Sequence, residues 1–467
     1  MIIEQIYTGC LAQGAYYIES DGEVAIIDPL REVKNYIDKA EESNAKIKYI
    51  FETHFHADFV SGHVTLAEKT GAEIVYGPDA NPKFDCIVAE DSQIFKLGNI
   101  TITAIHTPGH TLESTTYLLK DELGKDHAIF SGDTLFLGDV GRPDLAQKSA
   151  HMTQEDLAGM LYESLRNKIM PLNDDVIVYP AHGAGSACGK NMMKETVDTL
   201  GNQKKVNYAL RADMTKDEFI KEVTDGLLPP PAYFPVNVKM NKEGYQSIDK
   251  VLKQGSRALD PKEFELIAGE TGALVLDVRS KSDFVNSHIP RSIFIGLDGS
   301  FAPWVGDLIR DVETQILLVV DEERVEEAVT RLSRVGFDNT IGYLRGGIES
   351  WRDAGFELDS IGQISAEDLA KLDAPAIIDV RKESEFNLLG VAEAANIPLT
   401  NINNHLQELP SDETFFMHCA SGFRSVIASS ILKSRGIHNF KDIRGGMAAI
   451  KDTNFELIEN SCPSLSK

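Results

Sequence analysis

The sequence predicts a multidomain α/β protein. Over roughly the first 245 residues, short β-branched runs alternate with turns and helical patterns. The remainder is an internal repeat in which each copy has a strand-then-helix rhythm. The length of 467 residues also exceeds what one hydrophobic core holds.

Taken in chain order, "EVAIID" (Glu23–Asp28), "IKYIFET" (Ile47–Thr53), "ITITAIH" (Ile100–His106), "HAIFSGD" (His127–Asp133) and "DVIVYP" (Asp175–Pro180) read as buried strands. Each is short, rich in β-branched residues and closed by a turn residue or a histidine. "SAHMTQEDLAGMLYESLRNKIM" reads as an amphipathic helix opened by a capping box at "TQED". Proline density rises in "DGLLPPPAYFPVN" (Asp225–Asn237), which reads as an ordered tail, and "KEGYQSIDKVLKQGS" reads as a linker. Beyond it, "ALVLDVRSKSDFVNSHIP" matches "AIIDVRKESEFNLLGVAEAANIP", with Asp277 and Asp379 102 positions apart. "YLRGGIESW" likewise matches "DIRGGMAAI", with Arg345 and Arg444 99 apart. Three domains are expected, over residues 1–245, 256–357 and 361–467.

Composition narrows the function classes. Apolar content of 42% and charged content of 25% suit a soluble globular chain, and no run approaches the ~18 apolar residues of a membrane span. The opening "MIIEQIYTGCLAQGAYYIES" has no basic segment followed by a long apolar one, so no signal peptide is expected. Five scattered cysteines argue against a disulfide framework and for a reducing, cytoplasmic setting. A formal net charge of −26 repels nucleic acid and anionic lipid.

Three groups of possible metal ligands close predicted strands. His54 and His56 follow "IKYIFET", His110 lies in "HTPGHT" after "ITITAIH", and Asp133 ends "HAIFSGD". Strand ends of a layered α/β fold point their loops at one face, so residues distant in sequence converge there. Asp58 and His63 belong to the first group, and His182 sits in "YPAHG" after another strand. His63 reads as an ordinary polar residue. Arg142, in "GDVGRPDL", has two readings: a hold for an anionic part of a substrate, or a salt bridge to Asp144. Cys188 reads as a small buried residue or a thiol near the pocket mouth.

"THFHAD", "TPGHT", "SGDTLF" and "YPAHG" together resemble the metallo-β-lactamase fold family, and within it the persulfide dioxygenases. The resemblance implies an αββα sandwich with a metal at one edge. Dinuclear hydrolases of that fold build a second metal cradle from "HxHxDH" and a late histidine. Here Asp58 is followed by Phe59, which cannot ligate. That leaves one site of His54, His110 and Asp133. Two histidines and one carboxylate suit mononuclear Fe(2+) with open positions for substrate and oxygen, whereas zinc does no redox chemistry. His56, Asp58 and His182 then orient ligands or substrate.

The last repeat carries "FFMHCASGFRSVIASSIL": a β-run ending at Cys419, a short loop, then an apolar helix. Loop amides and the positive helix end stabilise an anion on sulfur, and Arg424 adds charge. With "DVR" and "RGG" this stretch resembles the rhodanese family. The resemblance makes Cys419 the sulfur-carrying nucleophile, cradled by Ala420, Ser421, Gly422, Phe423 and Arg424. The middle repeat places Asp321, followed by Glu322 and Glu323, where the cysteine belongs. It is expected to be an inactive rhodanese-like domain with a scaffolding role, and Trp304 and Trp351 fit its packing.

The order of domains resembles persulfide dioxygenase–sulfurtransferase fusions. It implies oxidation of a low-molecular-weight thiol persulfide by O2 to sulfite, and sulfur transfer between persulfide and sulfite to form thiosulfate, a route of sulfide detoxification. Tethering raises the effective concentration of sulfite at the second site. Association into a homo-oligomer is also implied. The alternative is a metal-dependent thioester hydrolase of the glyoxalase II type carrying a separate sulfurtransferase domain.

Overall fold

The computed structural model describes residues 1–147, 151–227 and 229–459. Cys462, the start of the expected amphipathic helix (149–150) and Leu228 of the proline-rich tail lie outside them. The chain divides into two compact units. The first is Met1–Val251 with Arg310–Val312 and Thr330–Asp338, and the second is the remainder.

The first unit holds two six-stranded sheets. One runs in sequence order through Ile2–Thr8, Gln13–Ser20, Glu23–Ile27, Lys46–Phe51, Glu73–Tyr76 and Ile87–Val88. The other contains Ile94–Leu97, Ile100–His106, Thr115–Lys120, Asp126–Gly132, Ile177–Pro180 and Asp198–Thr199, also in sequence order. Alternation along each strand sends one set of side chains into a shared core, where Tyr16, Ile27 and Phe51 of the first sheet meet Ile102, Tyr117 and Phe130 of the second. The outer faces are covered by helices. Lys34–Glu42 and His63–Thr70 bury Tyr36 and Leu66 against the first sheet, and Gln154–Ser164 with Lys216–Thr224 pack on the second. This is the four-layer αββα sandwich. The capping box forms at Thr153 and Asp156, and the helix it opens continues into a π-helical turn over Leu165–Ile169.

Two parallel pairings position the site. Glu23–Ile27 runs beside Lys46–Phe51, so Asp28 emerges next to Glu52, Thr53 and His54. Asp126–Gly132 runs beside Ile177–Pro180, so Asp133 emerges next to Ala181 and His182. Gly132 makes the two sheet ends meet: at φ +53° it lies so close to Thr53 that a Cβ would stand 2.6 Å from the threonine Cβ.

The stretch suggesting a linker is partly helical. Ile248–Gly255 buries Ile248 and Val251, three positions apart on one face, which explains why it orders.

The second unit repeats one topology twice. Its five-stranded parallel sheets run Ala258–Leu259, Thr340–Leu344, Ile316–Val319, Leu274–Asp277, Ile293–Phe294, and Gln363–Ile364, Phe440–Ile443, Phe415–His418, Ile377–Asp379, Ala395–Asn396. In each copy the "DVR" aspartate is buried and receives its own arginine: Arg279 Nη2 stands 2.6 Å from Asp277, and Arg381 Nη2 2.5 Å from Asp379. Trp351 packs between Phe264 and Phe356 in the core of the middle repeat. Among the described residues no helix is long and apolar enough to cross a membrane.

Candidate functional site

At the strand ends of the first unit, ligand atoms of His54, His110 and Asp133 converge within 4.8 Å of one another, all buried. His110 Nε2 is 3.4 Å and His54 Nε2 3.9 Å from Asp133 Oδ2. The far side of each ring is held: His54 Nδ1 lies 3.0 Å from Thr53 Oγ1, and His110 Nδ1 lies 2.8 Å from the Arg142 carbonyl. A carbonyl only accepts, so His110 Nδ1 donates to it and Nε2 is the nitrogen turned to Asp133. Burial, reinforced by the imidazoles of His56, His110 and His182, holds His54 well below the usual histidine range, so its ring is neutral.

Neither carboxylate oxygen of Asp133 receives a hydrogen bond of ordinary geometry, although the residue is buried. A buried carboxylate without hydrogen bonds is costly unless a cation completes it. The donor set therefore fits a divalent metal. Two nitrogens and one oxygen, with no thiolate among the three, suit iron or zinc equally by ligand type.

His56, Asp58 and His182 lie alongside, also within 4.8 Å of one another. His182 Nε2 is 3.5 Å from both Asp58 Oδ2 and Asp133 Oδ1, while His56 Nε2 is turned to Asp28 Oδ1 at 3.0 Å. Burial alone would lower the His56 imidazole, but Asp28, Glu52 and Asp58 together raise it to about 9. Phe59 is fully buried, its ring centroid 4.4 Å from that of His56. An apolar ring thus stands beside the second group of ligands.

Three other expectations meet a specific geometry. The Arg142 guanidinium forks onto Asp144 at 2.7 and 2.8 Å, and its carbonyl is the group that holds His110. Cys188 is buried and, with Asp133 and His182, forms a third ligand group; burial, with Asp58 and Asp133 nearby, pushes its thiol up. His63 falls on a helix, as a polar residue turned into the interior. It opens the helix His63–Thr70 facing inward, fully buried, with Nδ1 3.4 Å from Glu52 Oε1.

Several residues of the site carry no recognisable motif. Asp28 accepts from the Thr53 amide and hydroxyl at 2.8 and 2.9 Å. It closes a legible strand, and that position was the available signal. Glu52 is buried between His56 and His63, and burial pushes its carboxyl up. Asn241, on Phe234–Glu243, binds the ligand loop through three bonds of 2.8 Å each, donating to the carbonyls of His56 and Phe59 and accepting from the Ser61 amide. Nothing local distinguishes this asparagine from a surface one.

In the second unit Cys419 follows the strand Phe415–His418 and is buried. The Gly422 amide donates to its Sγ at 3.2 Å. The helix Arg424–Ser434 begins without a side-chain cap, leaving first-turn amides free to face an anion. The "RGG" turn lies beneath the loop: Met447 N and Ala448 N donate to the Cys419 and Ala420 carbonyls at 2.7 and 3.0 Å. Gly446, at φ +59° and ψ −148°, leaves no room there, since its Cβ would stand 2.3 Å from the Cys419 carbonyl oxygen. Ser421 is exposed, and Phe423 is half-buried with its ring 5.7 Å from Phe294. Arg424 is not a free charge: it forks onto Glu385 at 2.6 and 2.7 Å. In the middle repeat Asp321 follows Ile316–Val319, and Glu322 turns its carboxylate onto the Gly346 amide at 2.9 Å. No sulfur nucleophile stands there.

The metallo-beta-lactamase superfamily pattern matches residues 8–182, and the rhodanese-like domain pattern matches 260–354 and 365–453. A hydroxyacylglutathione hydrolase, GloC of Haemophilus influenzae, is 28% identical over 41% of this chain and 94% of its own. Persulfide dioxygenase ETHE1, mitochondrial, of Mus musculus is 28% identical over 47% of this chain and 78% of its own. A crystal structure of a metallo-beta-lactamase from Staphylococcus aureus subsp. aureus COL superposes with a TM-score of 0.65 at 31% identity, covering 74% of this chain and 98% of that one. The chain therefore belongs to the metallo-beta-lactamase superfamily, its lactamase-type domain joined to two rhodanese-like domains.

Proposed function

We propose that the first unit oxidises a low-molecular-weight thiol persulfide with O2 to sulfite at a single ferrous ion, and that Cys419 exchanges sulfane sulfur between persulfide and sulfite to form thiosulfate. The observation that carries this reading is Phe59. It is fully buried beside the second ligand group and denies it an imidazole, while His54, His110 and Asp133 form a closed set of two histidines and one carboxylate. These three would hold the ion, which when bound supplies the redox access to dioxygen that zinc lacks. Thr53 and the Arg142 carbonyl aim the two imidazoles, and Asp28 holds His56 away from that duty. His182 and Asp58 are left to orient substrate or water.

At Cys419 the sulfur attacks the outer sulfur of thiosulfate. A new sulfur–sulfur bond forms at Sγ, the old one breaks, and sulfite leaves with the bonding pair. The reverse sequence makes thiosulfate. The Gly422 amide and the uncapped helix start hold the negative charge on the terminal sulfur.

A second reading is a metal-dependent thioester hydrolase. It is favoured by the convergence of His56, Asp58 and His182 and by the hydroxyacylglutathione hydrolase among the relatives. Metal content measured together with oxygen uptake on a small-molecule persulfide separates the two. About one iron per chain and oxygen consumption are expected, with thiosulfate formation abolished and oxygen uptake retained in Cys419→Ser. Zinc, anaerobic thioester cleavage and no oxygen consumption would refute the dioxygenase assignment.

A further inference from the structure

The middle repeat has no cysteine, yet it places a cation on the rim of the Cys419 loop. Lys281, which opens the helix Lys281–Asn286, directs its Nζ to the Ser421 carbonyl at 3.4 Å. The same Nζ lies so close to Gly422 that a Cβ there would stand 3.4 Å away, and Gly422 is the residue whose amide donates to Cys419 Sγ. Contact between the two repeats is extensive at this edge. Phe294 N donates to Ser430 Oγ at 3.0 Å, the Phe294 and Phe423 rings meet edge to face, and Lys433 pairs with Asp359 at 2.7 Å.

Two arginines near the loop are already paired. Arg424 is forked onto Glu385 and Arg381 onto Asp379. Lys281 forms no ion pair among the described residues; its charge acts on the buried Asp442, which Gln363 already holds at 2.7 Å. A half-buried ammonium with no carboxylate partner, on the lip of a loop built to hold a charged sulfur, is an unmet electrostatic demand in a chain of formal charge −26.

We propose that Lys281 is a specificity-determining residue of the Cys419 site, drawing small sulfur oxyanions such as thiosulfate and sulfite to the loop, so that the cysteine-less repeat serves as half of the binding lip. This rests on the sulfur-transfer reading of Cys419. It also gives the cysteine-less domain a role at the site, because its helix Lys281–Asn286 carries the lysine at this edge of the loop.

The test uses the full chain and two readouts. First, the rates at which iodoacetate and iodoacetamide alkylate Cys419, followed by mass spectrometry of its peptide, report attraction of an anion independently of turnover. A single charge at this range changes the iodoacetate-to-iodoacetamide ratio by about 3- to 10-fold at low salt, less as salt screens it. Lys281→Gln should lower the ratio by that factor, Lys281→Glu further, and Lys281→Arg should restore it. Second, Lys281→Gln should raise KM for thiosulfate more than it lowers kcat. An unchanged alkylation ratio in Lys281→Gln overturns the proposal, as does a fall that Lys281→Arg does not restore. If the wild-type protein transfers no sulfur from thiosulfate, the reading of Cys419 fails, while the alkylation ratio still decides whether Lys281 attracts anions there.

Discussion

Replacing Asn241 by leucine should loosen the loop that follows His54 while changing none of the proposed metal ligands. The loop from His54 to Gly62 is irregular, so its backbone groups find partners outside any ladder. Asn241 supplies three of them, each at 2.8 Å, from a fully buried position. Leucine is close in volume but strands two carbonyls and one amide. Each buried orphan costs about 1–3 kcal/mol, and partial relaxation reduces the sum to roughly 3–6 kcal/mol. That is a large part of the ~5–15 kcal/mol of a typical domain, so the loop should open locally before the unit unfolds. Two measurements follow it: hydrogen exchange at the Ser61 amide, and metal affinity by competition with a chelator. Protection at Ser61 should fall by two orders of magnitude or more, at ~1.4 kcal/mol per decade, and affinity by about 10- to 100-fold, as for other groups that hold ligands in place. Asn241→Asp should be pH-dependent, because a carboxylate can still accept from Ser61 but faces the two carbonyls as a third acceptor. Wild-type metal affinity and unchanged Ser61 protection in Asn241→Leu would refute the reasoning.

Phe59→His should raise metal loading toward about two equivalents per chain, since an imidazole there would join Asp58 and His182; metal analysis showing no gain would mean that Phe59 does not limit the site. Asp307 tests pH linkage. Burial pushes its carboxyl up to about 6, with Lys382 pulling the other way. The folded value exceeds the unfolded ~3.9, so the folded state binds more protons between them and stability falls as pH rises through that window. Asp307→Asn should therefore be more stable than wild type by roughly 1–3 kcal/mol at pH 7.5, after allowance for its partial exposure, and equal to it below about pH 4. A difference in denaturant midpoint that stays constant with pH would contradict this. Gly446→Ala should disturb the Cys419 loop by about 1–3 kcal/mol from its backbone conformation alone, before the clash with the Cys419 carbonyl; wild-type sulfur transfer and stability would show that the turn yields freely.

Much of the architecture was legible because it is written in local periodicity. All five quoted strands of the first unit form, within a residue or two at their ends, since a buried strand needs only a short β-branched run and a terminating turn. The tandem repeat was legible because both copies solve one packing problem with one "DVR" ion pair. His54, His110, Asp133 and Cys419 stood out because they sit where strands stop. The short helix Ile248–Gly255 inside the stretch read as a linker was not legible, because it has few residues in which to display its period.

By itself the sequence determined the kinds of domain, their order, and the side chains capable of metal or sulfur chemistry. All of these depend on residues near one another in the chain or on a repeat of fixed spacing. Only the tertiary structure decided how those side chains are held. Asp28 claims His56, Asn241 fastens the loop after His54, the Arg142 carbonyl holds His110 while its guanidinium pairs with Asp144, and Arg424 is spent on Glu385. It also decided that Lys281 reaches the Cys419 loop from 138 positions upstream. Such contacts join residues that share no period, because the fold selects them by distance and a sequence records only order.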